Sequence, residues 1–276
     1  MQVSQPAIYV SSLATLEKLK ASAQFAASLS PHFSLPDVSA FVLTQTTDEG
    51  RALLASCNVA AGLSLGEYTA LAFAGAISFE DGLKLVALRG ASMQEAADAK
   101  PSGMASIIGL ASEQVAELCE AATKEAGAEN GVRIANFLCP GNYAVSGGVA
   151  GIEAVERIAK PQFKARMTVR LAVAGAFHTD YMAPAVPKLA AALATTPIVK
   201  PRIPVVSNVD AKPHSDPAVI KQLLARQVTA PVQWEATLNT LLAKGMQEGV
   251  EVGPGSVIAG IAKRISKELK FTNVTC

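Results

Sequence analysis

Residues 58–67 read Asn58-Val59-Ala60-Ala61-Gly62-Leu63-Ser64-Leu65-Gly66-Glu67. The apolar run Asn58–Ala61 has strand character, and Leu65–Ala74 reads as a helix ended by Gly75. Between them stands G-x-S-x-G, which puts the serine on a strand-to-helix turn. A nucleophilic serine needs that setting. Its Oγ must project from a tight turn, with small residues two positions either side to relieve crowding. The positive end of the following helix favours an alkoxide and a tetrahedral oxyanion. Ser64 is therefore the candidate nucleophile and the backbone N–H of Leu65 the natural oxyanion donor. The competing reading is an ordinary serine in a glycine-containing turn.

Outward from this turn, short apolar runs alternate with amphipathic stretches, the signature of an α/β fold with a largely parallel sheet. Ala7–Lys20 reads as a helix, and the mixed Ser, Pro and Thr stretch Ala21–Arg51 as a surface loop or an insertion. Ser78-Phe79-Glu80-Asp81 is a capping-box pattern opening a helix that runs to about Asp98. From Gly103 to Leu171 the order changes to strand Met104–Leu110, helix Glu113–Ala126, strands Arg133–Phe137 and Tyr143–Gly147, helix Gly151–Lys160 and strand Arg166–Val173. That βαββαβ order predicts a split-βαβ subdomain at 103–171, inserted into a core made of 1–102 and 172–276. The core resumes with strand Pro204–Asn208, helix Pro217–Val228 and strand Val250–Val252.

Composition narrows the function. Half of the 276 residues are hydrophobic and 17% are charged, enough apolar surface for a large buried core. A net charge of +1 argues against a broad nucleic-acid footprint. Cys57, Cys119, Cys139 and Cys276 are scattered, which supports neither a zinc site nor a disulfide framework and fits a reducing compartment. No apolar run is long enough to span a bilayer, and the opening Met1-Gln2-Val3-Ser4-Gln5-Pro6 has the look of neither a signal nor a transit peptide.

A serine nucleophile needs a base, and the chain has three histidines. His214, in Lys212-Pro213-His214-Ser215-Asp216-Pro217, reads as a solvated turn residue, and His32 lies in the irregular Ser30-Pro31-His32 stretch. His178 ends an apolar run, Leu171–Phe177, that reads as a strand, and a strand's C-terminal edge is where active sites of open α/β sheets gather. His178 is the candidate base, in the Ser…His order of α/β hydrolases. Asp180 and Asp210 are candidates to orient it, although each reads as a helix-start or turn residue. A backbone carbonyl is the alternative acceptor for Nδ1–H. Arg89 lies one turn from Leu85 and Met93 on an apolar helix face. It is either a snorkelling or ion-paired arginine, with Glu67 as a possible mate, or a bidentate clamp for a substrate carboxylate.

Taken together, Ser64, His178 and Arg89 resemble malonyl-CoA:acyl-carrier-protein transacylases. The resemblance runs from Ser4-Gln5-Pro6-Ala7 to Val252-Gly253-Pro254-Gly255. It passes through Gly62–Tyr68, Leu88-Arg89-Gly90, Ala135-Asn136-Phe137, Gly175-Ala176-Phe177-His178, Ser207-Asn208-Val209-Asp210, Ala225-Arg226-Gln227 and Pro231-Val232-Gln233-Trp234. It implies an α/β-hydrolase-like core with a ferredoxin-like insert. It further implies that Ser64 is malonylated, that His178 is general base and acid, and that Arg89 holds the malonyl carboxylate. Leu65, Gln5, Met93 and Phe177 complete the implied substrate-binding set, and the main-chain carbonyl of Gln227 orients the histidine. No metal or cofactor is implied. The substrates are malonyl-CoA and the pantetheine thiol of acyl carrier protein, for fatty-acid synthesis.

Asn136-Phe137-Leu138-Cys139-Pro140-Gly141-Asn142-Tyr143 is most similar to plastid and cyanobacterial forms, which implies a plastid stroma, or a cytoplasm if the source is prokaryotic. An acidic carrier protein calls for a basic patch. Arg157, Lys160, Lys164, Arg166 and Arg170 lie in a stretch without an acid, read either as a docking surface or as a solvated face. The family's strand and Gly-Gln-Gly-x-Gln loop, whose glutamine N–H is a second oxyanion donor, have no counterpart ahead of Ser4-Gln5-Pro6, and Lys20 to Asn58 is longer than expected. Loss of one oxyanion donor costs ~10²–10³ in rate. A serine esterase or thioesterase and a non-catalytic truncated copy are therefore the alternatives to a working transferase.

Overall fold

The computed structural model describes residues 4–21 and 56–274. His32, Cys276 and nearly all of the stretch read as a loop or insertion lie outside the described residues. The described chain runs α1 (Ser4–Ala21), β1 (Ala60–Ala61), α2 (Gly66–Phe73), α3 (Phe79–Ala99), β2 (Ser102–Ile108), α4 (Ser112–Ala126), β3 (Val132–Cys139), β4 (Asn142–Gly148), α5 (Val149–Ile158) and β5 (Met167–Arg170). A 3₁₀ segment (Asp180–Ala185) follows, then α6 (Val186–Thr195), β6 (Val205–Val206), β7 (Pro213–His214), α7 (Pro217–Gln227), β8 (Val232–Gln233), α8 (Trp234–Ala243), β9 (Glu248–Val252), α9 (Val257–Ile265) and β10 (Lys270–Val274).

The architecture is mixed α/β. Helix α3 is its spine. Ser78 caps it by accepting a hydrogen bond from the Asp81 N–H at 3.0 Å, and it buries Leu85, Val86, Arg89, Met93, Ala96 and Ala97 along one face at helical spacing. That face meets Tyr9 of α1, Leu71 of α2, Leu189 and Leu193 of α6 and Leu224 of α7 in one apolar cluster. Tyr9 is fully buried and stacks on Phe79 at 5.8 Å, directly over Gly82, where a Cβ would fall 1.9 Å from its hydroxyl. The close approach of α1 to α3 depends on that glycine.

Strands β2 to β5 form one sheet in the order β5-β2-β4-β3, with every neighbouring pair antiparallel. Helices α4 and α5 bury Val115, Leu118, Ile152 and Val155 against its Ile107, Ile134 and Val145. The outer edge of β3 accepts β8 in parallel, pairing Asn136 with Val232 and Phe137 with Gln233. This joins the small sheet to the segment that follows α7.

The sheet expected to dominate the core differs from its sequence reading. Among the described residues, parallel pairing outside the small sheet is confined to β1 with β6 and β9 with β10. The β1–β6 pair is two residues long, bounded by Gly62 and Pro204, and a proline supplies no N–H to extend a ladder. The run Leu171–Phe177 is not a strand either. Its backbone closes short turns, Val173 N–H to the Leu171 carbonyl and Phe177 N–H to Gly175, while Ala176 N–H donates to Ser102 Oγ. Those local bonds replace a ladder, so His178 sits in an irregular segment well past the end of β5. His214, read as a solvated turn residue, is instead in β7 with its Nε2 2.9 Å from Asp210 and its side chain 20% exposed.

Candidate active site

Ser64 stands between β1 and α2 with φ 51°, a conformation that costs energy for any residue with a Cβ. The turn is tight enough that a Cβ on Gly62 would lie 2.0 Å from the Gly66 carbonyl oxygen, so position 62 admits only glycine. The strain turns Ser64 Oγ towards two partners. It lies 2.9 Å from His178 Nε2 and accepts a hydrogen bond from Arg89 Nη2, also at 2.9 Å. Among the described residues, the Leu65 N–H at the head of α2 has no acceptor and remains free for a ligand oxygen.

His178 is 3% exposed, and its Nδ1 lies 2.8 Å from the main-chain oxygen of Gln227. A carbonyl only accepts, so Nδ1 carries the proton and Nε2 is left to accept from Ser64 Oγ–H. Neither candidate carboxylate takes this place: Asp210 pairs with His214, and Asp180 is largely exposed, 3.5 Å from Arg133. Burial, and then the adjacent Arg89 cation, lower the His178 pKa to about 4. The imidazole is therefore neutral across the physiological range, as a general base must be.

Arg89 is 2% exposed. Its Nη1 donates to Gln5 Oε1 at 2.8 Å and its Nη2 to Gln227 Oε1 at 3.1 Å, in addition to Ser64, and its guanidinium lies 5.7 Å from the centre of the Tyr68 ring. Burial draws its pKa downward, against the pull of Tyr68 and Glu67. Glu67 is not a direct mate. Its Oε2 accepts from Gln227 Nε2 at 2.6 Å and from the Asn208 N–H at 3.1 Å, so the Gln227 amide bridges the two charges. Desolvation raises the Glu67 pKa to about 7 despite those hydrogen bonds.

Of the residues singled out in the sequence, the structure thus brings together Ser64, His178, Arg89, Gln5 and Gln227. Met93 is buried beside them, its Sδ 3.7 Å from Gln5 Nε2, and Leu65 heads α2. Phe177 is half-buried between the helical cluster and a patch of Met104, Ala135 and Ala144. Two features escaped the sequence reading: the Gln227 side chain, whose Nε2 also donates to the Ser64 carbonyl at 3.0 Å, and the part played by Asn208. The sequence offers Asn208 only at the end of an apolar strand and within Ser207-Asn208-Val209-Asp210, one of the stretches that carry the resemblance, with no sign of its partners.

Comparison with known proteins gives the family. Residues 54–274 match the model of the acyl transferase domain. The chain belongs to that family. It is 35% identical over 272 residues to the malonyl CoA-acyl carrier protein transacylase of Bacillus subtilis, covering 99% of this chain and 75% of the relative. It is 37% identical to the mitochondrial malonyl-CoA-acyl carrier protein transacylase of Homo sapiens, covering 94% of this chain and 61% of that one. The chain therefore spans between three fifths and three quarters of these two relatives. An acyl-carrier-protein-S-malonyltransferase from Bartonella henselae superposes with a TM-score of 0.82 at 32% identity, covering 100% of this chain and 77% of that one. A malonyl-transacylase solved in complex with a type II PKS acyl-carrier protein superposes at 0.80 with 31% identity, covering 99% and 76%.

Proposed function

We propose that the chain transfers a malonyl group from malonyl-CoA, through an ester on Ser64, to the pantetheine thiol of an acyl carrier protein. The observation that carries this reading is Arg89, a buried cation with its Nη2 2.9 Å from the same Oγ that His178 Nε2 approaches. A simple esterase has no use for a cation there. A malonyl thioester has a carboxylate two bonds beyond the reacting carbonyl, and a guanidinium fork matches it.

His178 Nε2 takes the proton as Ser64 Oγ attacks the thioester carbonyl, and the Leu65 N–H faces the oxyanion that forms. The tetrahedral intermediate collapses by breaking the C–S bond, and His178 returns the proton to the departing coenzyme A thiolate. In the second half the carrier-protein thiol gives its proton to His178, its sulfur bonds the malonyl carbonyl, the Oγ–C bond breaks, and His178 returns the proton to Ser64 Oγ. The proton and bond balance closes without metal or cofactor. Gln5, Met93 and Phe177 line the acyl side of the site, and the Gln227 carbonyl holds the imidazole tautomer.

Residues 103–171 are read as a ferredoxin-like insert, supported by the β5-β2-β4-β3 strand order, within a hydrolase-like core of 1–102 and 172–276. For the carrier protein, the basic stretch 157–170 offers Lys160, Lys164 and Arg166, since Arg157 pairs with Glu125 and Arg170 with Glu156. A plastid setting rests on the resemblance of residues 136–143. The central test is incubation with malonyl-CoA followed by intact mass measurement. A malonyl adduct in the wild type that is absent in Ser64→Ala is expected; folded wild-type protein that acquires no adduct refutes the reading.

A further inference from the structure

We infer that Asn208 is the positioning residue that pins the backbone ahead of Ser64 and so holds the nucleophile turn in its strained conformation. Asn208 follows β6, the strand paired with β1, and is fully buried. Its side-chain amide reaches across to the turn and bonds both flanks of the serine. Oδ1 accepts from the Ser64 N–H at 2.5 Å, and Nδ2 donates to the Gly62 carbonyl at 2.8 Å. Its own N–H donates to Glu67 Oε2, one turn further along, and its carbonyl accepts from the Gln233 N–H at 2.8 Å. One residue therefore ties together positions 62, 64 and 67 of the turn and anchors them to the segment after α7.

The need for such a clamp follows from the geometry. Ser64 at φ 51° persists only where its surroundings over-determine it. The first turn of the helix constrains only carbonyls, with the Gly66 N–H on Leu63 at 2.9 Å and the Glu67 N–H on Ser64 at 3.2 Å, and leaves the Ser64 N–H to be held from elsewhere. Asn208 supplies the missing constraint. By occupying the Ser64 N–H it fixes the Leu63–Ser64 peptide on the near side of the strained residue, while the Ser64–Leu65 peptide on the far side is held through the Ser64 carbonyl by Gln227 Nε2 at 3.0 Å and the Glu67 N–H at 3.2 Å. Glutamine is one methylene too long for the two-sided grip. Aspartate keeps the acceptor for Ser64 N–H but turns a second oxygen onto the Gly62 carbonyl and adds negative charge beside a developing oxyanion.

This inference rests on Ser64 being the nucleophile, and its test has a readout independent of malonyl chemistry. Labelling of Ser64 by a fluorophosphonate probe reports the nucleophile and oxyanion geometry directly, and rates are taken per folded molecule. Asn208→Ala is expected to slow labelling by about 10- to 100-fold, the scale of a misplacement near 1 Å. In malonyl transfer kcat falls similarly while KM holds, because Arg89 and Gln5 are untouched. Leu193→Ala, a truncation in the helical cluster, serves as the control that loses stability but labels at the wild-type rate. If Asn208→Ala does not fold, the isosteric Asn208→Asp is measured instead and is expected to be slowed as well. Wild-type labelling in whichever variant folds overturns the inference, as does a rise in KM with kcat unchanged. Should the wild type label but transfer no malonyl group, the proposed function fails while the Asn208 experiment keeps its meaning.

Discussion

Replacing Arg89 by alanine separates malonyl transfer from generic serine acyl chemistry. The guanidinium is 2% exposed and engages Gln5, Ser64 and Gln227, all neutral groups. A bound malonyl carboxylate would form a desolvated, charge-assisted pair with it. Truncating one side of such a pair costs about 2–5 kcal/mol, or about 30- to 4,000-fold in kcat/KM at 1.4 kcal/mol per decade. An acetyl group has no carboxylate, so acetyl-CoA transfer loses only what Arg89 contributes through Ser64 Oγ. The ratio of kcat/KM for malonyl-CoA over acetyl-CoA, measured with carrier protein as acceptor, should therefore collapse by most of that factor. The pH profile supplies a second reading. Arg89 is the second cause, after burial, of the His178 pKa near 4. Without the cation that pKa rises, and the acid limb of kcat/KM moves to higher pH. An unchanged malonyl-to-acetyl ratio in folded Arg89→Ala would refute the clamp.

Two further substitutions test the frame around the site. The fold raises the Glu67 pKa from 4.5 to about 7, so its contribution is fully present below pH 4.5 and fades as pH rises through 7. Glu67→Gln lacks this titration. Its stability relative to wild type should improve by up to about 3 kcal/mol between pH 4.5 and above 7; a difference in urea midpoint that stays flat with pH contradicts the assignment. Gly82→Ala drives a methyl into the Tyr9 hydroxyl, where a Cβ lies 1.9 Å away. Overpacking of this kind costs about 1–3 kcal/mol, read as a lower urea midpoint, and Gly82→Ala/Tyr9→Phe should recover part of the loss, since the ring carbon that bore the hydroxyl still lies 2.6 Å from the added Cβ; no recovery would place the strain elsewhere.

The parts legible in the sequence were those governed by local rules. The Ser78 cap, the apolar stripe of α3 and the βαββαβ order all follow from spacing within one element or between neighbours, and the structure has each of them. The turn at Ser64 was legible because G-x-S-x-G between a strand and a helix is a steric requirement as much as a pattern. What local rules cannot deliver is pairing across long sequence separations. Leu171–Phe177 looked like a strand because it is apolar, but nothing in its composition says that Ala176 N–H will bond Ser102 Oγ. Nor does any spacing show that the carbonyl of Gln227, 49 residues past His178, is the histidine's acceptor; the family resemblance supplied that. Asn208, 144 residues past Ser64, left no local trace of its reach.

The separation of Arg89 from Glu67 is itself informative. Both are buried, opposite in charge once Glu67 loses its proton, and among the described residues no direct ion pair joins them; the Gln227 amide stands between, accepting from one and donating to the other. A direct pair would satisfy the guanidinium fork and make its release for a ligand costly, because separating buried partners strands a desolvated charge. Interposing a neutral amide keeps Glu67 near enough to favour the charged form of Arg89 while leaving the fork on neutral acceptors. An incoming carboxylate then replaces hydrogen bonds in which only the donor is charged with a bidentate pair in which both partners are charged. The same arrangement keeps the cation beside Ser64 Oγ before substrate arrives, so the site is already shaped for a negatively charged acyl group and gains little from a neutral one.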